Sequence, residues 1–261
     1  AWRDVLETFK SFPSGAILLA LVPLGAAMLL RALRWYVLLR GEAVQFLQVV
    51  LTQNTGIGLN NMSPIRMVSE PVQLALITRR YRVPFPTAFA TLVGGNVMDI
   101  IATALLMALG ILLVPSLREG QISIQLVGAF IMFVVSVLVF VAVARGLHNI
   151  PLANRVRFFQ QIVVAISLLR DKPLRLLSSF VATVGHWCVL GVAGWVLAGA
   201  LEIDVLPLTM ATILVAATFF TSAVPSAPAG AGTYHFAIVT MLTGLGTDPT
   251  AAFSFAVVMH I

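Results

Sequence analysis

The stretch SSFVATVGHWCVLGVAGWVLAGAL, from Ser178 to Leu201, contains no Lys, Arg, Asp or Glu. About twenty such residues in a helix cross roughly 30 Å of hydrocarbon, and lipid tolerates only a backbone that bonds to itself. Ile122 to Ala144 is a second run of this kind. Of 261 residues 59% are hydrophobic and 10% charged, against about a quarter charged in soluble domains. The chain therefore reads as an all-α polytopic membrane protein, a multi-pass resident of a cell membrane. It opens at Ala1 and stops inside an apolar run at Ile261, which reads as an excerpt of a longer protein. The single cysteine, Cys188, excludes an internal disulfide and reads as a small apolar filler.

Pattern and punctuation divide the chain into expected elements. A short amphipathic segment, 2 to 12, lies along the interface. Helix one runs from about Ser14 to Arg40. Two shorter pieces, 43 to 59 and 71 to 82, flank a polar interruption. Helix two spans about 85 to 114 and helix three about 122 to 145, before a basic connector, 146 to 172. Helix four spans 173 to 201. A second broken pair, 207 to 224 and 233 to 246, is interrupted by VPSAPAGAG, and a last helix begins at Pro249.

Basic residues in short loops stay on the cytoplasmic side. With each broken pair returning to the side it entered from, the basic residues at 31, 34, 40, 79, 80, 82, 145, 155, 157, 170, 172 and 175 fall inside, and Arg3, Lys10 and Arg118 outside. The net charge of +6 is then a topology signal that also touches anionic lipid, and no nucleic-acid partner is expected. The same topology makes residues 14–114 and 173–261 inverted halves of one transmembrane domain, linked by 122–172. Each half carries a broken, re-entrant helical hairpin. Interrupted helices in matching positions of inverted halves point to a transporter's midplane site.

The first interruption, NNMSPIRMVSEPVQL, holds the chemistry. Pro64 and Pro71 disfavour helix in the residue before them and suit a first helical turn, so a half-helix is expected to start at Pro71. Arg66 and Glu70 neutralise each other as a buried pair, or Arg66 with the half-helix terminus attracts an anionic head group while Glu70 gates it; the two readings coexist. Asp99, in VGGNVMDII, needs a partner, and Arg66 is the first candidate, since Asn96 one turn earlier can hydrogen-bond but not neutralise it. In the second interruption, Gly230 and Gly232 allow φ > 0, giving either an anion nest or a tight turn. His235, one turn into the next half-helix, is a titratable or simply packed group. His186 and Trp187 line the same cavity or serve structure alone.

At these residues the chain resembles the transmembrane, flippase-like region of the lysylphosphatidylglycerol synthase family. PIRMVSEPVQ supplies Pro64, Arg66, Glu70 and Pro71 of that family's Pro-x-Arg-x-Gly-Gly-Glu-Pro-x-Arg pattern. NVMD keeps Asp99 of its Arg-x-x-Asp, and PAGAGTYH keeps Pro228, Gly230 and Gly232 of its late glycine-rich motif. Gln73 and Asn96 stand where the family has Arg, Val68 and Ser69 where it has Gly, and His235 where it has Glu. The resemblance implies translocation of a phospholipid or prenyl-phosphate lipid between leaflets. It also implies a soluble transferase domain or partner elsewhere.

The expected site is therefore Arg66, Glu70, Asp99, Asn96, Gly230, Gly232 and His235, with no catalytic group, metal or cofactor. The alternatives are a membrane enzyme acting on a lipid phosphate, with His235 or His186 as nucleophile or base and Asp99 or Glu70 as its partner, and a scaffold for a lipid-modifying enzyme. Against the enzyme stands the lack of an Asp-x-x-Asp, a His-Glu-x-x-His or a recognisable nucleophile set. Gly191, Gly194, Ala198 and Gly199 would permit close contact between helices of a homo-oligomer.

Overall fold

The computed structural model describes residues 14–63, 68–117, 172–223 and 227–260. Among the described residues 84% are helical and none is in a strand. Eight α-helices are described: α1 Ser14–Leu38, α2 Phe46–Met62, α3 Ser69–Arg79, α4 Phe85–Leu113, α5 Pro173–Ala200, α6 Pro207–Ala223, α7 Thr233–Gly244 and α8 Pro249–His260. Gly15–Leu38, Phe85–Leu113 and Pro173–Ala200 are long and apolar enough to cross a bilayer. The amphipathic segment at 2–12, helix three at 122–145 and nearly all of the connector at 146–172 lie outside the described residues.

The chain forms two compact units: residues 29–102 with 131–184, and residues 1–28, 103–130 and 185–261. In the first, α2 and α3 form a helical hairpin. Val49 near the start of α2 shares a buried cluster with Ile77 and Val83 at the end of α3, together with Trp35 and Leu39. Gly56 makes the approach close, because a Cβ there would sit 2.6 Å from Gln73 Cγ and 2.9 Å from the Ser69 carbonyl oxygen. The Asn60 side chain spans the break, its Oδ1 accepting from the Val68 amide at 3.4 Å. The half-helix therefore begins at Ser69 rather than Pro71. Pro71 sits within the first turn, where its missing amide proton has no partner to lose. At the end of this unit's α1, Arg175 donates to the Arg40 carbonyl, a cation on a helix C-terminus.

The second unit is built around α6. Residues Met210 to Ala217 are all buried, as expected of a helix hydrophobic all round. Three glycines admit it. A Cβ on Gly110 would lie 2.1 Å from Thr212 Oγ1, one on Gly191 2.5 Å from Ala211 Cβ and 2.9 Å from its Cα, and one on Gly194 2.8 Å from Met210 Cγ. Gly191 and Gly194 thus make the close helix contact expected of them with α6 of the same chain, whereas Gly199 has nothing within 4 Å. α6 and α7 form a second hairpin, with Phe220 and Phe236 at its bend 6.1 Å apart, and α8 packs on α7.

Gly191→Ala is expected to destabilise the protein by about 1–3 kcal/mol, because the new methyl meets backbone that cannot step aside. Gly199→Ala meets open space and should instead gain about 0.5–1 kcal/mol of helix propensity. Thermal unfolding in detergent reads both, and equal melting shifts would remove the packing argument.

Candidate functional site

On α1, Arg31, Arg34 and Trp35 recur at helical spacing and share one face. Asn96 and Asp99 do the same on α4. Arg34 Nη1 lies 2.9 Å from Asp99 Oδ2, the arginine side chain 8% exposed and the aspartate 27%. Trp35 Nε1 donates to Thr91 Oγ1 at 3.2 Å, and Thr91 passes its own proton to the Ala88 carbonyl at 3.1 Å. These contacts fix the faces of α1 and α4 on one another. Asp99 stands about 21 Å along α4 from Phe85, well inside a helix of spanning length. A charge at that depth is costly unless paired, and Arg34 pairs it.

Arg31 is held differently. With the Gln53 amide of α2 turned so that its oxygen faces Arg31 Nε, the orientation that satisfies both of its ends, it accepts from Nε and donates to the Arg31 carbonyl oxygen, each at 3.2 Å. This leaves the two terminal nitrogens of the guanidinium, and among the described residues no carboxylate lies within ion-pairing distance of them. Arg31 nonetheless feels the charges of Arg34, Asp99 and Glu70. From α3, Gln73 Nε2 donates to Ser69 Oγ at 2.7 Å, both side chains buried. Glu70, exposed in the first turn of α3, stands where the helix dipole favours a carboxylate.

These side chains enclose a pocket of about 390 Å³, its open mouth included, completed by Leu92, Gly95 and Asn96 of α4. With Arg34 and Asp99 cancelling each other, Arg31 is, among the described residues, the cation left to meet an anion, beside the amides of Gln53, Gln73 and Asn96. Such a set suits an oxyanion with further hydrogen-bonding groups.

The second break lies in the other unit. Ala229 adopts φ +57°, Gly230 +82° and Gly232 +87°, so the two glycines do supply the left-handed backbone expected of them. Their amides, however, are occupied. Gly230 N donates to the Ala227 carbonyl at 2.9 Å, Ala231 N to that of Pro228 at 3.2 Å, and Gly232 N to His235 Nδ1 at 3.2 Å. The turn satisfies itself. In the same unit His186 Nδ1 donates to the Ala27 carbonyl at 2.8 Å and its ring packs edge-on against Trp187, a structural role.

Of the expected site residues, Glu70 and Asn96 line the pocket, Asp99 sits behind it on Arg34, and Gly230, Gly232 and His235 form the second break. Arg66 lies outside the described residues. Among the described residues Asp99 pairs with Arg34, a partner the sequence reading did not name for it. Arg31 and Arg34, counted in the sequence reading only among the basic residues on the cytoplasmic side, line the pocket, as do Ser69 and Gln73, named there only as departures from the family pattern, and Gln53, which was not named. The signal was present as two i, i+3 pairs, Arg31 with Arg34 and Asn96 with Asp99, on helices that must both be buried on one side.

The family model for the lysylphosphatidylglycerol synthase TM region matches residues 1–261. No curated protein and no solved structure matches this chain.

Proposed function

The chain belongs to the lysylphosphatidylglycerol synthase transmembrane-region family, a family of lipid-acting membrane proteins, and on that premise we propose that it moves a phosphate-bearing lipid between leaflets. The observation that carries the reading is the pocket. It is polar, two of its four walls are helices of spanning length, and among the described residues Arg31 is its uncancelled cation, with both terminal nitrogens open to a ligand. A lipid phosphate meets Arg31 through two parallel hydrogen bonds, while the amides of Gln53, Gln73 and Asn96 take the rest of the head group. Asp99 holds Arg34 in place, and Glu70 at the mouth helps release the anion. Arg66, in the adjoining interruption of the sequence, is the second cation this reading assigns to the head group.

The two helical hairpins, 46–79 and 207–244, are in this reading re-entrant elements of inverted halves, 14–114 and 173–261, of one transmembrane domain. The support is the distribution of basic residues and the Pro/Gly interruptions. Gly230 and Gly232 shape the second hairpin's bend, and His235 closes it. The lipid is a phospholipid or prenyl-phosphate lipid, in a multi-pass protein of the cell membrane.

The test is reconstitution of the wild-type protein in vesicles carrying a fluorescent phospholipid in both leaflets. A membrane-impermeant quencher should bleach about half the signal in empty vesicles and progressively more in protein-containing ones. Signal that stays at the empty-vesicle level, with mass spectrometry showing a chemically altered lipid, would replace transport by catalysis.

A further inference from the structure

We propose that the second break is a proton-operated latch, closed while His235 is neutral and released when that ring takes a proton. The latch is a property of the hairpin alone; only its consequence for transport rests on the function proposed above. The Gly232 amide can only donate, so His235 Nδ1, 3.2 Å away, must be the bare nitrogen of a neutral ring. His260 Nε2, 3.0 Å from the Ala229 carbonyl, must carry the proton it donates. Each histidine thus grips one residue that has left the right-handed region, Gly232 at φ +87° and Ala229 at φ +57°. The second of these is disfavoured for a residue with a Cβ and persists only while its surroundings hold it.

A proton on His235 Nδ1 turns the cap into two donors facing each other. The new charge lies at the N-terminus of α7, where the helix dipole opposes a cation, and beside the His260 ring, 4.7 Å away between centroids. Among the described residues the ionisable groups facing His235 are Tyr234 on its own helix and His260 on α8, whose ring Tyr234 stacks at 5.0 Å; α6 carries none. No carboxylate on these elements offsets the charge. The sign follows: closure is complete above the ordinary imidazole range and is lost as pH falls.

Amide hydrogen exchange of the whole protein in nanodiscs, at about pH 7.5 and about pH 5, reads the latch directly once the intrinsic pH dependence of exchange is removed. Peptides covering 228–236 should lose about tenfold in protection at the lower pH, the scale of one helix cap. His235→Gln keeps an acceptor at the third helical position, where Gln serves as a capping residue, and cannot titrate. It should hold protection constant across the two pH values. Unchanged wild-type protection, or an equal loss in His235→Gln, overturns the latch. Vesicles then separate the two ideas: an exchange switch with no lipid movement at either pH keeps the latch and sinks the transport reading. Lipid movement with no exchange switch does the reverse.

Discussion

Replacing Arg31 by alanine is expected to bring lipid movement down to the empty-vesicle rate, a loss of about a hundredfold or more. Deleting one member of a buried, hydrogen-bonded charge pair costs about 2–5 kcal/mol, and every 1.4 kcal/mol is about tenfold. The guanidinium would carry that full weight because Arg34 is committed to Asp99. Arg31→Lys should restore part of the rate, since the charge returns without the two-pronged geometry. Arg80→Ala removes an exposed interfacial cation worth about 1 kcal/mol to anionic lipid, and should leave most of the rate. Arg31→Ala should still fold, because among the described residues the side chain neutralises no carboxylate. Arg66→Ala in the same assay asks whether the break supplies a second cation: a two-cation path fails with either substitution. Wild-type rates from well-folded Arg31→Ala protein would remove this pocket from the mechanism.

The helix boundaries were legible to within a few residues because their causes are local. Pro173, Pro207 and Pro249 each begin the helix foreseen for them, since proline at a first helical position loses no bond. Gly230 and Gly232 were readable as left-handed positions for the same reason: the missing Cβ is a property of the residue itself. What failed was whatever depended on a distant partner. The start of α3 is set by Asn60, eight residues before Val68, and no rule of local spacing contains that contact. The fate of Gly191 and Gly194 was likewise undecided. Small residues on α5 announce a close approach, but only the arrival of Met210 and Ala211 of α6 shows which helix makes it.

The site was half legible on the same principle. An interrupted hydrophobic segment bearing Glu70, and a carboxylate inside a spanning helix at Asp99, are costly enough to be noticed alone. Arg31 and Arg34 were not, because a cation near a helix end has a ready explanation as a topology signal. Arg34 is separated from Asp99 by most of three helices, and its burial appears only when α1 and α4 are laid together.

That pairing carries the second large effect. Arg34→Ala is expected to destabilise the protein by about 3 kcal/mol, the low end for breaking a buried ion pair, because Asp99 keeps some access to its surroundings. By the scaling for domains of comparable size, about 3 kcal/mol lowers the melting temperature by roughly 6–12 °C. Asp99→Asn should cost less than Asp99→Ala, since the amide keeps an acceptor for Arg34 while giving up the charge. The decisive measurement is the double substitution. With both Arg34 and Asp99 replaced by alanine, no charge is left stranded at that depth, so the double variant should lose less than the sum of the two single alanine variants, with a coupling of about 1–3 kcal/mol. Thermal unfolding of the four proteins in one detergent gives the cycle. Strictly additive shifts would show that each side chain is held by its own neighbours rather than by the other, and Asp99 would then need its chief partner elsewhere. A coupled pair would instead make Arg34 a fixed part of the pocket wall, leaving Arg31 as the cation that meets the ligand.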